Sequence, residues 1–256
     1  MCPRNTALLA VVWTFYILSG LPQVRTTGVF ELQIQSFRND LGVTSDGACC
    51  NGYRQNGICS ATCRTYFKIC LAHYQADIAS NPQPRCTFAN FTTPVLGENS
   101  MDFGVMSELP LKGSRQNTVY FPVTEFSWPK DFSLVIEAWH DNQLASPGQE
   151  HTSLLIARLA ELKSASSGKT WYTYDRTFGS QILNYAFRFV CDNNYYGDNC
   201  AELCRPRDDK FGHYTCSSNG TKMCLNGWDG PYCEIALCLP GCDANNGYCD
   251  QPNECK

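Results

Sequence analysis

The sequence predicts a mainly β protein, an antiparallel sandwich followed by small disulfide-rich modules. Three observations carry that prediction. Segments between residues 28 and 187 alternate apolar and polar side chains with a period of two. Loops rich in Pro, Gly, Asn and Ser separate them. Cysteines crowd the two flanks and are absent between Cys86 and Cys191. The 256 residues are 43% hydrophobic and only 17% charged, enough to bury a core. A net charge of −4 is too balanced for a nucleic-acid binder. Seventeen cysteines argue against a reducing compartment.

In chain order, Arg4 precedes an apolar run from Ala7 to Leu18 and then Ser19-Gly20. That pattern predicts a secretory signal peptide over 1–27, since the run is short of the ~20 apolar residues of a membrane span. Its removal would take Cys2 and leave sixteen cysteines, an even number suited to complete pairing. With no later apolar stretch of that length, the expectation is a secreted protein or an ectodomain fragment. Two glycosylation sequons, at Asn90 and Asn219, agree with an extracellular fate, although such triplets also occur by chance.

Residues 28–187 have the length to build a core. In GVFELQIQ, Phe30, Leu32 and Ile34 share one face. In FSLVIEAWH, Phe132, Leu134, Ile136 and Ala138 share a face, and the opposite set is itself mostly apolar, which predicts burial on both sides. QILNYAFRFV aligns Leu183, Tyr185, Phe187 and Phe189. Polar loops are expected at 80–84, 142–148 and 164–169. The segments 64–74 and 151–162 fit helix or strand by pattern. β-branched and aromatic residues tip the first toward strand. From Cys191 to Cys233, six cysteines and no long apolar run mark a scaffold that folds only with staples. Four more cysteines, Cys238, Cys242, Cys249 and Cys255, occupy the last stretch.

Signatures of catalysis are missing. Neither H-E-x-x-H nor G-x-S-x-G occurs, and Ser167-Gly168-Lys169-Thr170 lacks the first glycine of a phosphate loop, with Lys163 in its place. Cys200 and Cys204 have a spacing a zinc site could use, but an oxidising compartment favours disulfides. Asp102, Asp131, Asp141 and Asp175 are not clustered as calcium ligands would be. No enzyme, metal or cofactor is expected. The informative stretch is CRPRDDKFGHY, residues 204–214, where charges alternate with aromatic residues. Arg and aromatic side chains dominate binding hot spots, so this is either a binding face or a mini-core with a solvated loop.

These residues also carry a resemblance. CDNNYYGDNCAELCRPRDDKFGHYTCSSNGTKMCLNGWDGPYC, residues 191–233, resembles a complete DSL module, the hallmark of the Delta/Serrate/Jagged ligands of Notch receptors. Upstream, GVFELQIQSF, CRTYFKICLAHYQ, TPVLGENS and FSWPKDFSLVIEAWH are similar to the N-terminal module of the same ligands, and CLPGCDANNGYCDQPNECK resembles a first EGF repeat cut short. NYYGDNC, TPVLGENS and FSLVIEAWH look Delta-like, while the six-cysteine first module and Arg205–Asp209 also suit Jagged-type sequences.

The resemblance implies a C2-type sandwich over 28–187, a DSL module over 188–233 and a truncated EGF-like repeat over 234–256. It implies disulfides Cys191–Cys200, Cys204–Cys216, Cys224–Cys233, Cys238–Cys249 and Cys242–Cys255. Cys70 and Cys86 bracket one strand and loop and are expected to pair, whereas the pairing of Cys49, Cys50, Cys59 and Cys63 stays open. The implied partner is the EGF-like repeats of a Notch receptor, with Phe211 as an apolar plug flanked by Arg205, Arg207, Asp209, His213 and Tyr214. In the first module the implied contacts are His73 and the loop holding Val123 and Thr124, where Pro122–Phe126 departs from the family's Phe-rich pattern. The implied setting is the extracellular part of a single-pass type I membrane protein in cell-fate signalling. Two other readings stand beside it, a matrix or adhesion glycoprotein and a membrane-lipid contact through C2-type loop tips.

Overall fold

In the computed structural model, residues 27–76, 78, 85–104, 117–124, 127–142, 153–243 and 245–256 are described. Residues 1–26 of the expected signal peptide, the loop at 80–84, most of the loop at 142–148 and the start of segment 151–162 lie outside them, whereas Thr27 is buried and donates its amide to the Val123 carbonyl. Strand β1 (Gly28–Arg38) alternates as its sequence does, and Phe30, Leu32 and Ile34 are buried. A bulge between Ile34 and Ser36, against β11 (Gln181–Cys191), then inserts one residue and reverses the parity. Phe37, not Ser36, therefore enters the core. Across this pair Phe30 faces Phe189, Leu32 faces Phe187 and Ile34 faces Tyr185, so the two apolar faces coincide.

The first sheet is completed by β10 (Tyr172–Phe178) beside β11. On the far edge of β1 lie β7 (Thr118–Val123), along Gly28–Gln33, and β6 (Ser100–Asp102), along Ser36–Arg38. The second sheet runs β5 (Ala89–Thr92), β4 (Thr65–His73), β8 (Asp131–His140), β9 (Leu154–Ser164), and all its pairings are antiparallel. The described parts of both ambiguous segments are thus strands. The second was undecided by pattern, and pairing along β8 decides it, with Ile156 and Leu159 turned into the core.

Aromatic residues fill the space between the sheets. Trp128, 1% exposed, stacks on Phe189 at 4.3 Å, packs against Phe132 at 5.1 Å and donates its Nε1–H to the Ala165 carbonyl at 2.7 Å. Phe30 meets Phe132 edge-on at 5.2 Å and stacks on Phe187 at 5.4 Å. Truncating one such ring to Ala costs about 3–5 kcal/mol. Strand β8 is buried on both faces. Its outer-face Glu137 is held by Arg158 at 3.1 Å and by Trp139 Nε1–H at 3.0 Å. Cys70–Cys86 joins β4 to the segment before β5. A separate ribbon of β2 (Asn51–Gln55) and β3 (Ile58–Ala61) has little buried surface, and Cys49–Cys59 and Cys50–Cys63 anchor it.

Beyond the sandwich the strands are two to five residues long. They are β12 (Tyr195–Tyr196) with β13 (Glu202–Leu203), then β14 (Arg207–Asp209), β15 (Gly212–Cys216) and β16 (Lys222–Cys224), then β17 (Trp228–Asp229) with β18 (Ile235–Ala236). Disulfides Cys191–Cys200, Cys204–Cys216, Cys224–Cys233, Cys238–Cys249 and Cys242–Cys255 close loops of 9 to 13 residues. Each such closure contributes about 3 kcal/mol by chain entropy, in place of the core these segments lack.

A boundary drawn at residue 187 falls inside a strand. Strand β11 continues to Cys191, because Phe189 is a core residue paired with Phe30 and Cys191 pairs with Gly28. The cysteine-rich part is also seated on the sandwich. The Trp128 amide donates to the Asn199 carbonyl at 2.7 Å, and the Ser167 amide, in the loop expected at 164–169, donates to the Asp198 carbonyl at 2.8 Å. Cys200 is fully buried in the sandwich core cluster.

Candidate functional site

The hairpin β14–β15 is the element that presents chemistry to solvent. Arg207 faces Tyr214, Asp208 faces His213 and Asp209 faces Gly212, so only Lys210 and Phe211 form the tip. The turn is fixed by the Phe211 amide donating to Asp209 Oδ1 at 2.8 Å. Phe211 is 59% exposed. The Arg207 guanidinium lies 5.3 Å and the Lys210 ammonium 4.9 Å from its ring centroid, both in cation–π range. Arg207 also pairs with Asp209 at 3.3 Å. An exposed pair of this kind is worth little to stability, so its effect is to orient charge at the surface.

Strand alternation divides the expected residues into two sets. Arg205, Arg207, Asp209, Phe211 and Tyr214 line one shallow depression, together with Leu203, Pro206, Lys222 and Tyr232, and Asp208 reaches its rim. His213 is not in it. Its ring stacks on Trp228 at 3.5 Å between centroids and its Nδ1 hydrogen-bonds Asp208, on the side of the hairpin away from Tyr214. The expected flank of Phe211 thus loses His213, which instead braces the hairpin from behind.

Lys222 and Tyr232 escaped the sequence reading because they are distant from residue 211 along the chain, and Leu203 because it falls just outside the stretch 204–214. Leu203 and Tyr232 are 58% and 59% exposed, and the Lys222 ammonium lies 4.5 Å from the Tyr232 ring. The available signal was a large apolar residue directly before a cysteine, at Leu203-Cys204 and Tyr232-Cys233, in a segment with no core to receive it.

In the sandwich, His73 ends β4 in an exposed position. Its Nδ1 lies 2.8 Å from Thr87 Oγ1 and its ring stacks on Phe88 at 4.2 Å, which in turn packs on Trp128. Thr124 is exposed just after β7. Val123, expected in a surface loop, is instead the last residue of β7, paired with Gly28 and 1% exposed. It belongs to the core because Val119, Phe121 and Val123 share the inward face of a six-residue strand. The sequons also differ in setting. Asn90 is in edge strand β5, whereas Asn219 is in a turn where its Oδ1 accepts from the Thr221 hydroxyl at 3.0 Å. Among the described residues no three His, Cys, Asp or Glu side chains converge as metal ligands would. The depression presents two exposed rings, Phe211 and Tyr232, framed by cations and carboxylates.

Comparison with known proteins agrees with this architecture. Residues 27–189 match the model described as the N terminus of Notch ligand C2-like domain, and residues 191–236 match that described as Delta serrate ligand. The chain is 44% identical over 233 residues to human Delta-like protein 1, covering 91% of this chain and 31% of that protein. It is 44% identical over 241 residues to Delta-like protein D of Danio rerio, covering 94% and 32%. It is 43% identical over 232 residues to the neurogenic locus protein delta of Drosophila melanogaster, covering 90% and 27%. The chain thus spans about a third of the length of these relatives. Among solved structures, the Drosophila C2-DSL-EGF1 structure superimposes with a TM-score of 0.70 at 42% identity, covering 90% of this chain and 95% of that one. The chain belongs to the Notch ligand family, and within it resembles the Delta-like proteins.

Proposed function

We propose that this chain is the receptor-engaging region of a Delta-type ligand, binding EGF-like repeats of a Notch receptor on an apposed cell for juxtacrine cell-fate signalling. The observation that carries this reading is Phe211, a large aromatic held 59% exposed at the tip of a disulfide-stapled hairpin. Such a ring gains most by entering a desolvated pocket, while Arg205, Arg207 and Asp209 around it set register. Tyr214, Lys222 and Tyr232 extend the same face. His73 and Thr124 are the candidate contacts of the N-terminal module, and Val123 supports them from within. The disulfides and the two sequons support an extracellular location, and a membrane-anchored parent protein would supply the attachment that cell-to-cell traction needs.

The test is binding to a purified Notch segment holding the receptor's ligand-binding EGF-like repeats. Phe211→Ala is expected to lose about 2 kcal/mol, roughly thirtyfold in Kd, with unchanged circular dichroism and melting temperature. Binding that ignores Phe211 would move recognition to the sandwich. Soluble chain is expected to bind without signalling, and chain immobilised on a surface is expected to activate reporter cells.

A further inference from the structure

The outer surface of the four-stranded sheet carries a groove of about 310 Å³, and Asn90 is one of its walls. Ladder register places Asn90 opposite Cys70 and Thr92 opposite Lys68. Cys70 and Lys68 in turn face Val135 and Glu137 on β8. Side chains two apart on a strand share a face, so Asn90, Cys70 and Val135 form one row across the sheet, and Thr92, Lys68 and Glu137 the next. The groove therefore has an apolar row made of Val135 and the Cys70–Cys86 disulfide, and a polar row made of the Lys68 ammonium and the Glu137 carboxylate. Asn90 itself is exposed on the outermost strand.

We propose that an N-linked glycan on Asn90 occupies this groove, its first N-acetylglucosamine lying along the apolar row with its hydroxyl and acetamide groups toward Lys68 and Glu137. The acceptor is part of the groove it would fill, so the tethered sugar has a very high effective concentration there. The linkage forms when the Asn90 carboxamide nitrogen attacks C1 of a lipid-pyrophosphate-linked oligosaccharide. The N–C1 bond forms, the C1–O bond to pyrophosphate breaks, and the amide proton leaves with the lipid pyrophosphate. Once seated, the sugar also covers β5, the exposed edge of its sheet, where unpaired backbone groups would otherwise invite another strand. Asn219 is the internal comparison. It lies in a turn of the cysteine-rich part, where its carboxamide is hydrogen-bonded to Thr221.

The experiment is secretion of the chain from cells that keep their glycans high-mannose, followed by peptide mapping and thermal unfolding. Asn90 is expected to be occupied. Trimming with an endoglycosidase that leaves one N-acetylglucosamine is expected to keep the melting temperature. Loss of the whole glycan, through Asn90→Gln, Thr92→Ala or amidase treatment of the folded chain, is expected to lower it by roughly 2–4 °C, the scale of a modest stability change in a domain of this size. Thr221→Ala, which removes the other sequon, is expected to leave it unmoved. An unoccupied Asn90 would overturn the proposal. So would an unchanged melting temperature after full removal, or a fall already complete when one sugar remains.

Discussion

Phe211 is exposed and Gly212 beside it is buried, and the second fact makes the first useful. At Gly212 φ is +151°, and a Cβ there would lie 2.4 Å from the Tyr232 carbonyl oxygen and 3.0 Å from the Tyr214 ring. Only glycine lets β15 approach the backbone of Tyr232 closely enough to place residues 211, 214 and 232 around one depression. Gly212→Ala is therefore expected to weaken receptor binding tenfold or more while leaving the sandwich's melting temperature unchanged, as titration calorimetry beside thermal unfolding would show. Composition singled out the stretch 204–214, because Arg and aromatic residues crowd a segment with little core, and the family resemblance implied Arg207, Asp209 and Phe211 within it. That His213 points the other way follows only from the register Asp208↔His213, which no composition reveals.

Among the elements, β9, β10 and β11 are tied across the two sheets by charge as well as by packing. Glu161 on β9 is paired with Lys163 and with Arg176 of β10, and accepts from the Tyr185 hydroxyl of β11 at 3.2 Å. The Lys163 ammonium lies 3.6 Å from the Tyr174 ring centroid. Burial pushes the Glu161 carboxyl up, but the hydrogen bonds from Arg176 and Lys163 outweigh it and hold the carboxyl below its ordinary 4.5. A carboxylate lowered by folding stabilises the fold fully above that value, and the contribution is lost as pH falls through the folded pKa. Glu161→Gln is expected to cost about 1–3 kcal/mol at pH 7, and the gap to the native chain is expected to begin narrowing below about pH 4.5 and to close only once the pH has fallen through the lower folded pKa. Denaturant unfolding of the sandwich, followed by the fluorescence of buried Trp128, would measure both. Alternation alone predicted β1, β8 and β11. It missed the bulge in β1 because an inserted residue has no compositional mark, and it left segment 151–162 undecided because its apolar residues fit two periods.

For the molecule as a whole, the junction decides how the hairpin is carried. The carbonyls of Asp198 and Asn199 accept from sandwich amides, Lys130 pairs with Asp198 at 3.1 Å, and Cys200 is buried in the core cluster. At the other end, Trp228 pairs with Ala236, and the Leu237 amide donates to the Gly227 carbonyl at 2.8 Å, joining the DSL segment to the last cysteine-rich segment of the chain. The sandwich and the first cysteine loop are expected to behave as one body. In the whole chain the amides of Trp128 and Ser167 should then exchange with solvent as slowly as those of β8. Fast exchange there, with β8 still protected, would show a hinge instead.

The sequence by itself determined the β class, the division into a core-bearing segment and stapled modules, the faces of three long strands and the stretch that carries Phe211. These are local properties. Period, composition and cysteine density are written along the chain and need no partner to be read. Tertiary structure alone decided the pairing of Cys49 with Cys59 and Cys50 with Cys63, the burial of Val123, the turn of His213 away from Phe211 and the convergence of Leu203, Lys222 and Tyr232 on one face. Each depends on register and on contacts between residues remote in sequence. A shift of one residue in a ladder exchanges inside for outside, and composition does not encode which ladder forms.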